Sequence, residues 1–200
     1  MDFLVFVCNL TELFFKPYKK LDYFINLKNE VSQNDILKYS FLASLLGNIC
    51  LIISIPIANG KSFNSFSNLF IYLLFNLTLV YLLTTLFIFI IFSVLSFIGQ
   101  NITIYDTISF YIFSDFLYII LLPISFITKA LAKTDNQIFF MLYFIIYILV
   151  FCIKIKTVSI LSSIKFMKII FIFILPFIVI SIFLTISIIY LLSSISIGII

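Results

Sequence analysis

Apolar residues run in long uninterrupted stretches along this chain, and polar residues gather in short breaks between them. Five stretches match the length of a bilayer crossing: 39–58, 69–98, 107–128, 138–153 and 169–192. A hydrocarbon core is about 30 Å thick, and an α-helix covers it in about 20 residues. The 138–153 stretch falls short of that, whereas 69–98 reaches about 45 Å and must tilt or project past the bilayer. None of them alternates apolar with polar as barrel strands do. In hydrocarbon, where backbone groups must be paired internally, that leaves helices. The pattern predicts an all-α, polytopic membrane protein with five transmembrane helices.

The breaks carry start signals. Ser32-Gln33-Asn34-Asp35 reads as a capping box opening the first crossing helix, and Thr103-Ile104-Tyr105-Asp106 reads as a second one after the Gly99-Gln100-Asn101 turn. Residues 3–15 are too short to cross, and Asn9, Glu12 and Lys16 share one helical face, so a short interfacial helix is expected there. Pro17 ends it, and a second amphipathic stretch runs to about Asn29. The chain thus divides into an N-terminal cytoplasmic or interfacial segment, 1–38, and a transmembrane domain, 39–200. No cleavable signal peptide is expected, because Asp2 stands where a basic region belongs and Glu12 and Lys16 interrupt the apolar stretch.

Lysines set the orientation. With the N-terminus inside, the segments on the cytoplasmic side hold nine of the twelve lysines and the outer ones three. The positive-inside rule therefore predicts N-terminus in and C-terminus out.

Composition supports lipid as the solvent and removes most chemistry. The chain is 64% hydrophobic and 10% charged, with a mean hydropathy of +1.32, against about 45–50% and about 25% in soluble domains. Histidine is absent, which removes the commonest general base and metal ligand and any Ser-His-Asp arrangement. Four glycines, at 47, 60, 99 and 198, make no phosphate-binding loop. Cys8, Cys50 and Cys152 have no ligand spacing. No catalytic, metal or cofactor site is expected, and no nucleic-acid surface, since the lysines border crossings. The expected partners are the bilayer and other membrane proteins, or further copies of the chain.

A few polar positions remain as candidates. Asp115 lies inside the third crossing, where a charged carboxylate costs about 2.5–3.5 kcal/mol on insertion scales and should face protein or water. One expectation puts it near the inner headgroup layer, hydrated or bonded to a neighbouring helix. The other makes it a proton or cation site with Lys154 or Lys168 as counter-charge. Asn76 in the second crossing needs a partner outside its own helix and reads as helix–helix glue. Asn48 belongs to a stripe of small and polar residues, Ser40, Ala43, Ser44, Gly47 and Asn48, that reads as a packing face. Lys16, Lys19 and Lys20 before the first crossing, and Lys154, Lys156, Lys165 and Lys168 in a predicted 154–168 loop, are candidate contacts for anionic lipid.

Three stretches resemble the Yip1 family in its compact bacterial form: Leu13-Phe-Phe-Lys-Pro-Tyr-Lys-Lys20, Ile98-Gly-Gln-Asn-Ile-Thr-Ile-Tyr-Asp-Thr-Ile-Ser-Phe-Tyr111, and Lys156-Thr-Val-Ser-Ile-Leu-Ser-Ser-Ile-Lys165 leading to Pro176. They are similar to that family's phenylalanine-and-proline entry, its glycine turn before a capped third helix, and its final loop. The chain departs from the family in placing Asp115 near where a proline is common, its own being Pro123, and in lacking the long hydrophilic region that eukaryotic members use to engage GTPases. The resemblance implies a non-enzymatic, multi-pass protein of a bacterial cytoplasmic (inner) membrane, acting through partners or on membrane organisation and trafficking. The competing class is a transporter or channel subunit built on Asp115.

Overall fold

The computed structural model describes residues 32–60, 65–131 and 137–197. The expected interfacial helix at 3–15 and the lysines at 16, 19 and 20 lie outside the described residues. Helix α1 spans Gln33–Ala58 and α2 spans Phe66–Phe97. The third rod comprises α3, Ile104–Ile112, a 3₁₀ segment, Phe113–Ile120, and α4, Leu121–Leu131. Helices α5, Gln137–Ser162, and α6, Phe166–Ile197, complete the fold. No strand occurs among the described residues. Five helices, counting the third rod as one, are long and apolar enough to cross a membrane, as an integral membrane protein requires.

Both N-caps form, with the acid bonded to the capping hydroxyl. The amide of Asp35 donates to Ser32 Oγ at 3.2 Å, and Ser32 Oγ donates to the Asp35 carboxylate at 2.7 Å. Thr103 and Asp106 repeat the arrangement at 3.2 and 2.7 Å. Each cap hydroxyl satisfies one amide that the first helical turn leaves without a partner. The Gln33 side-chain amide donates to Asp106 Oδ1 at 3.3 Å, so α1 and the third rod start side by side and run parallel. Between them α2 returns the chain and ends in a Schellman turn. There the Gln100 amide donates to Leu95 O at 3.1 Å, the Gly99 amide to Ser96 O at 3.0 Å, and Gly99 takes φ +83°.

The third rod is the centre of the bundle. It packs along the length of α1 on one side and against α5 on the other, while α2 and α6 lie outermost. Its apolar window is 61% buried, against 11% for α2. Ser40, Ala43, Ser44, Gly47 and Asn48 are all buried, and this small-residue stripe is what lets α1 approach so closely. Two apolar clusters lock the layers. One joins Ala43 to Phe110, Phe113, Leu117 and Leu121 and on to Phe139 and Val150. The other joins Ile91 and Leu95 of α2 to Tyr111, Val158, Ile169 and Phe173.

Several boundaries differ from expectation. The helix of the fourth crossing does not stop at residue 153: α5 continues to Ser162, so most of the predicted 154–168 loop is helix and the turn falls at Ser163, whose φ is +54°. The last helix runs through Ile197 rather than ending near 192. The 3₁₀ stretch is unforeseen. Eight residues of 3₁₀ in mid-rod are unusual, because its bonds are poorer than those of an α-helix. Pro123 follows three residues after Ile120 and supplies one cause: it has no N–H for the carbonyl of Ile119, and its ring crowds that oxygen.

Candidate functional site

The 3₁₀ segment delivers Asp115 to the interior between α1 and α5. Lys154 arrives from α5, about 12 Å along the helix from its Ser162 end. Their side chains pair at 2.7 Å between Nζ and Oδ1. Both are buried, Asp115 to 3% exposure and Lys154 to 8%. The second carboxylate oxygen, Oδ2, accepts from Ser44 Oγ at 2.9 Å. Ser44 Oγ in turn accepts from Asn48 Nδ2 at 3.1 Å and from Tyr81 OH at 3.4 Å. The Lys154 ammonium also sits 4.2 Å from the centre of the Tyr111 ring, within the range of a cation–π contact. Four helical rods thus contribute to one polar cluster.

Burial makes the pairing obligatory. The effective cost of taking one unpaired ion out of water is several kcal/mol, and breaking a buried pair by removing one member costs about 3–5 kcal/mol. The pair does not fill a solid core. It borders a half-open cavity of about 360 Å³, lined also by Tyr118, Tyr143, Tyr147 and Thr84, with Leu51, Phe87 and Phe177 among the apolar walls. Tyr143 and Tyr147 stack, with ring centres 6.3 Å apart and planes at 20°. Charged groups, ring faces and hydroxyls therefore surround one space at mid-helix height. No cluster of three metal-ligating side chains occurs among the described residues.

The other candidates fare differently. Asn48 joins the Asp115 cluster through Ser44. Asn76 lies away from that cluster: its amide donates to Tyr72 O, one turn back on α2, at 2.7 Å. That bond satisfies one of the two amide donors within the helix itself. Lys154 is not a headgroup lysine, because it lies inside α5 and points at Asp115, and Lys156 is half-buried in the same helix. Lys165 and Lys168 are exposed, at the turn before α6 and in its first turn, where they can meet anionic headgroups; Lys168 is not the counter-charge of Asp115. Asp115 itself is enclosed by protein and bonded to a neighbouring helix through Ser44.

The tyrosines were the missing part of the site, and their spacing carries a signal. Tyr111, Asp115 and Tyr118 recur at steps of four and three, and Tyr143, Tyr147 and Lys154 at four and seven. Each set falls on one face of a helix, and those two faces meet at the cavity. Comparison with protein-family models, with curated proteins and with solved structures finds no match.

Proposed function

We propose that this chain is a non-enzymatic integral membrane protein that admits a small polar solute to a cleft at mid-depth of the bilayer, as a transporter or channel subunit does. The observation that carries the reading is the Asp115–Lys154 pair bordering a cavity of about 360 Å³. Ionisable groups inside crossings are costly and mark solute or ion paths by default. A merely structural pair gains nothing from facing open space. The N-terminus lies in the cytoplasm and the C-terminus outside, in a bacterial cytoplasmic membrane. Counting Lys154 as part of the bundle leaves eight lysines on the inner side against three on the outer, and the positive-inside rule still holds.

Water access to the cleft is the test. In a chain with Cys8, Cys50 and Cys152 replaced by alanine, Thr84→Cys places a thiol on the cavity wall. Leu82→Cys places one on the outer surface, where Leu82 is 60% exposed and lipid would cover it. A small, membrane-impermeant thiol reagent is expected to label position 84 and spare position 82. Equal inertness at both positions defeats the reading.

A second reading follows the Yip1 resemblance: a non-enzymatic protein acting through protein partners or on membrane organisation. Support comes from the glycine turn at Gly99 followed by the Thr103-capped third rod. A stable partner recovered in mild detergent, with the cleft inert to the thiol reagent, favours this reading over the first.

A further inference from the structure

We infer that the cleft takes a zwitterion of modest size with an apolar portion, either a free apolar amino acid or the headgroup end of phosphatidylethanolamine. This rests on the cleft being a solute site. Charge balance is the first reason. Asp115 and Lys154 together are neutral, so a lone cation or a lone anion brings an uncompensated charge into a space walled by protein. A zwitterion brings none, and it can set its ammonium against the carboxylate and its acid group against the ammonium, giving an alternating square of charges.

The second reason is unused capacity on both partners. An ionised carboxylate accepts at about four lone-pair sites, and an ammonium has three donors. Asp115 holds Lys154 on one oxygen and Ser44 on the other, one contact each. Lys154 directs one donor at Asp115 and rests a face on Tyr111. By this count each keeps hydrogen-bonding capacity while holding its present partner. Tyr143 and Tyr147 line the same cavity, and an aromatic face attracts an ammonium.

The third reason is size and lining. About 360 Å³ is at the small end of ligand pockets, which run from about 300 to 1,000 Å³. Leu51, Phe87 and Phe177 form an apolar wall beyond the charged pair, which suits a ligand with an apolar side chain or stem.

The test uses the full chain in nanodiscs of phosphatidylglycerol, which supply no competing zwitterionic lipid. Calorimetric titrations would use L-leucine, L-methionine and L-phenylalanine in one arm and dihexanoyl phosphatidylethanolamine in the other. The decarboxylated and the deaminated counterparts of each amino acid serve as half-charged analogues. At least one zwitterion is expected to bind, with both half-charged analogues of the amino acids at least tenfold weaker. Binding in the first arm assigns a free amino acid, and binding in the second alone assigns the lipid headgroup.

Single neutralisations at the pair are expected to harm folding, so the informative variant is Asp115→Asn combined with Lys154→Met, which removes both charges together. It should elute as the same monodisperse peak and lose binding at least tenfold. Retained binding in that variant overturns the inference, as does equal binding of an amine or acid analogue. If position 84 is labelled by the thiol reagent and no zwitterion binds, this inference falls and the solute cleft stands. An inert position 84 removes both.

Discussion

Gly47 of α1 lies directly against the backbone of Asp115. A β-carbon built on Gly47 would overlap the Asp115 carbonyl oxygen and stand 2.6 Å from its carbonyl carbon and 3.0 Å from the α-carbon of Phe116. Backbone cannot move aside as a flexible side chain can. The close approach of α1 to the 3₁₀ segment therefore depends on a hydrogen at this position, and that approach puts Ser44 within reach of the carboxylate.

Gly47→Ala is expected to destabilise the bundle by at least the about 1–3 kcal/mol typical of overpacking. Gly60→Ala is the comparison: φ is +69° there and nothing lies within 4 Å, so only the left-handed backbone cost of about 1–2 kcal/mol applies. Thermal unfolding in detergent should place Gly47→Ala at the lower midpoint. The same midpoint as the parent chain would mean that α1 and the third rod separate at no cost.

The Asp115–Lys154 pair is expected to show strong coupling in a double-mutant cycle. Asp115→Asn or Lys154→Met alone leaves one buried charge unpaired, at a cost of about 3–5 kcal/mol, whereas both together leave none. The double variant should be more stable than either single one. Additive losses would show that the two charges do not meet in the folded protein.

The helices were legible in the sequence because lipid demands long apolar runs, and the caps because Ser32–Asp35 and Thr103–Asp106 are local. The stripe from Ser40 to Asn48 was legible for the same reason, since small residues at helical steps have few other uses. The end of α5 was not. Lys154 and Lys156 look like the polar border of a crossing, and only a carboxylate from another rod makes Lys154 tolerable inside one. Pairing between residues so far apart leaves no local mark. Asn76 shows a local alternative: a polar side chain in a crossing looks as if it needs a neighbour, yet one of its donors is met by the Tyr72 carbonyl one turn back.

Reporter fusions should follow the proposed orientation. Fusions after Gly60 and Asp135 are expected to report the outside, and those after Gly99 and Ser163 the cytoplasm. The same side at 60 and 99 would mean that α2 does not cross.

Thr103→Ala is expected to cost about 1 kcal/mol, the usual worth of an N-cap, and somewhat more through Asp106. The threonine hydroxyl holds one oxygen of Asp106 while Gln33 reaches the other. Gln33→Ala and Thr103→Ala should therefore be non-additive in unfolding measurements. Strict additivity would separate the two helix starts.

Asp115 precedes Lys154 by thirty-nine positions, and this interval has a meaning during synthesis. At about 5–20 residues per second, the carboxylate leaves the ribosome about two to eight seconds ahead of its ammonium partner. Ser44, which bonds the other oxygen of the carboxylate in the folded protein, belongs to α1 and is made before either of them. A nascent chain arrested between these two residues has Asp115 without Lys154, and the site is complete only once α5 has been made.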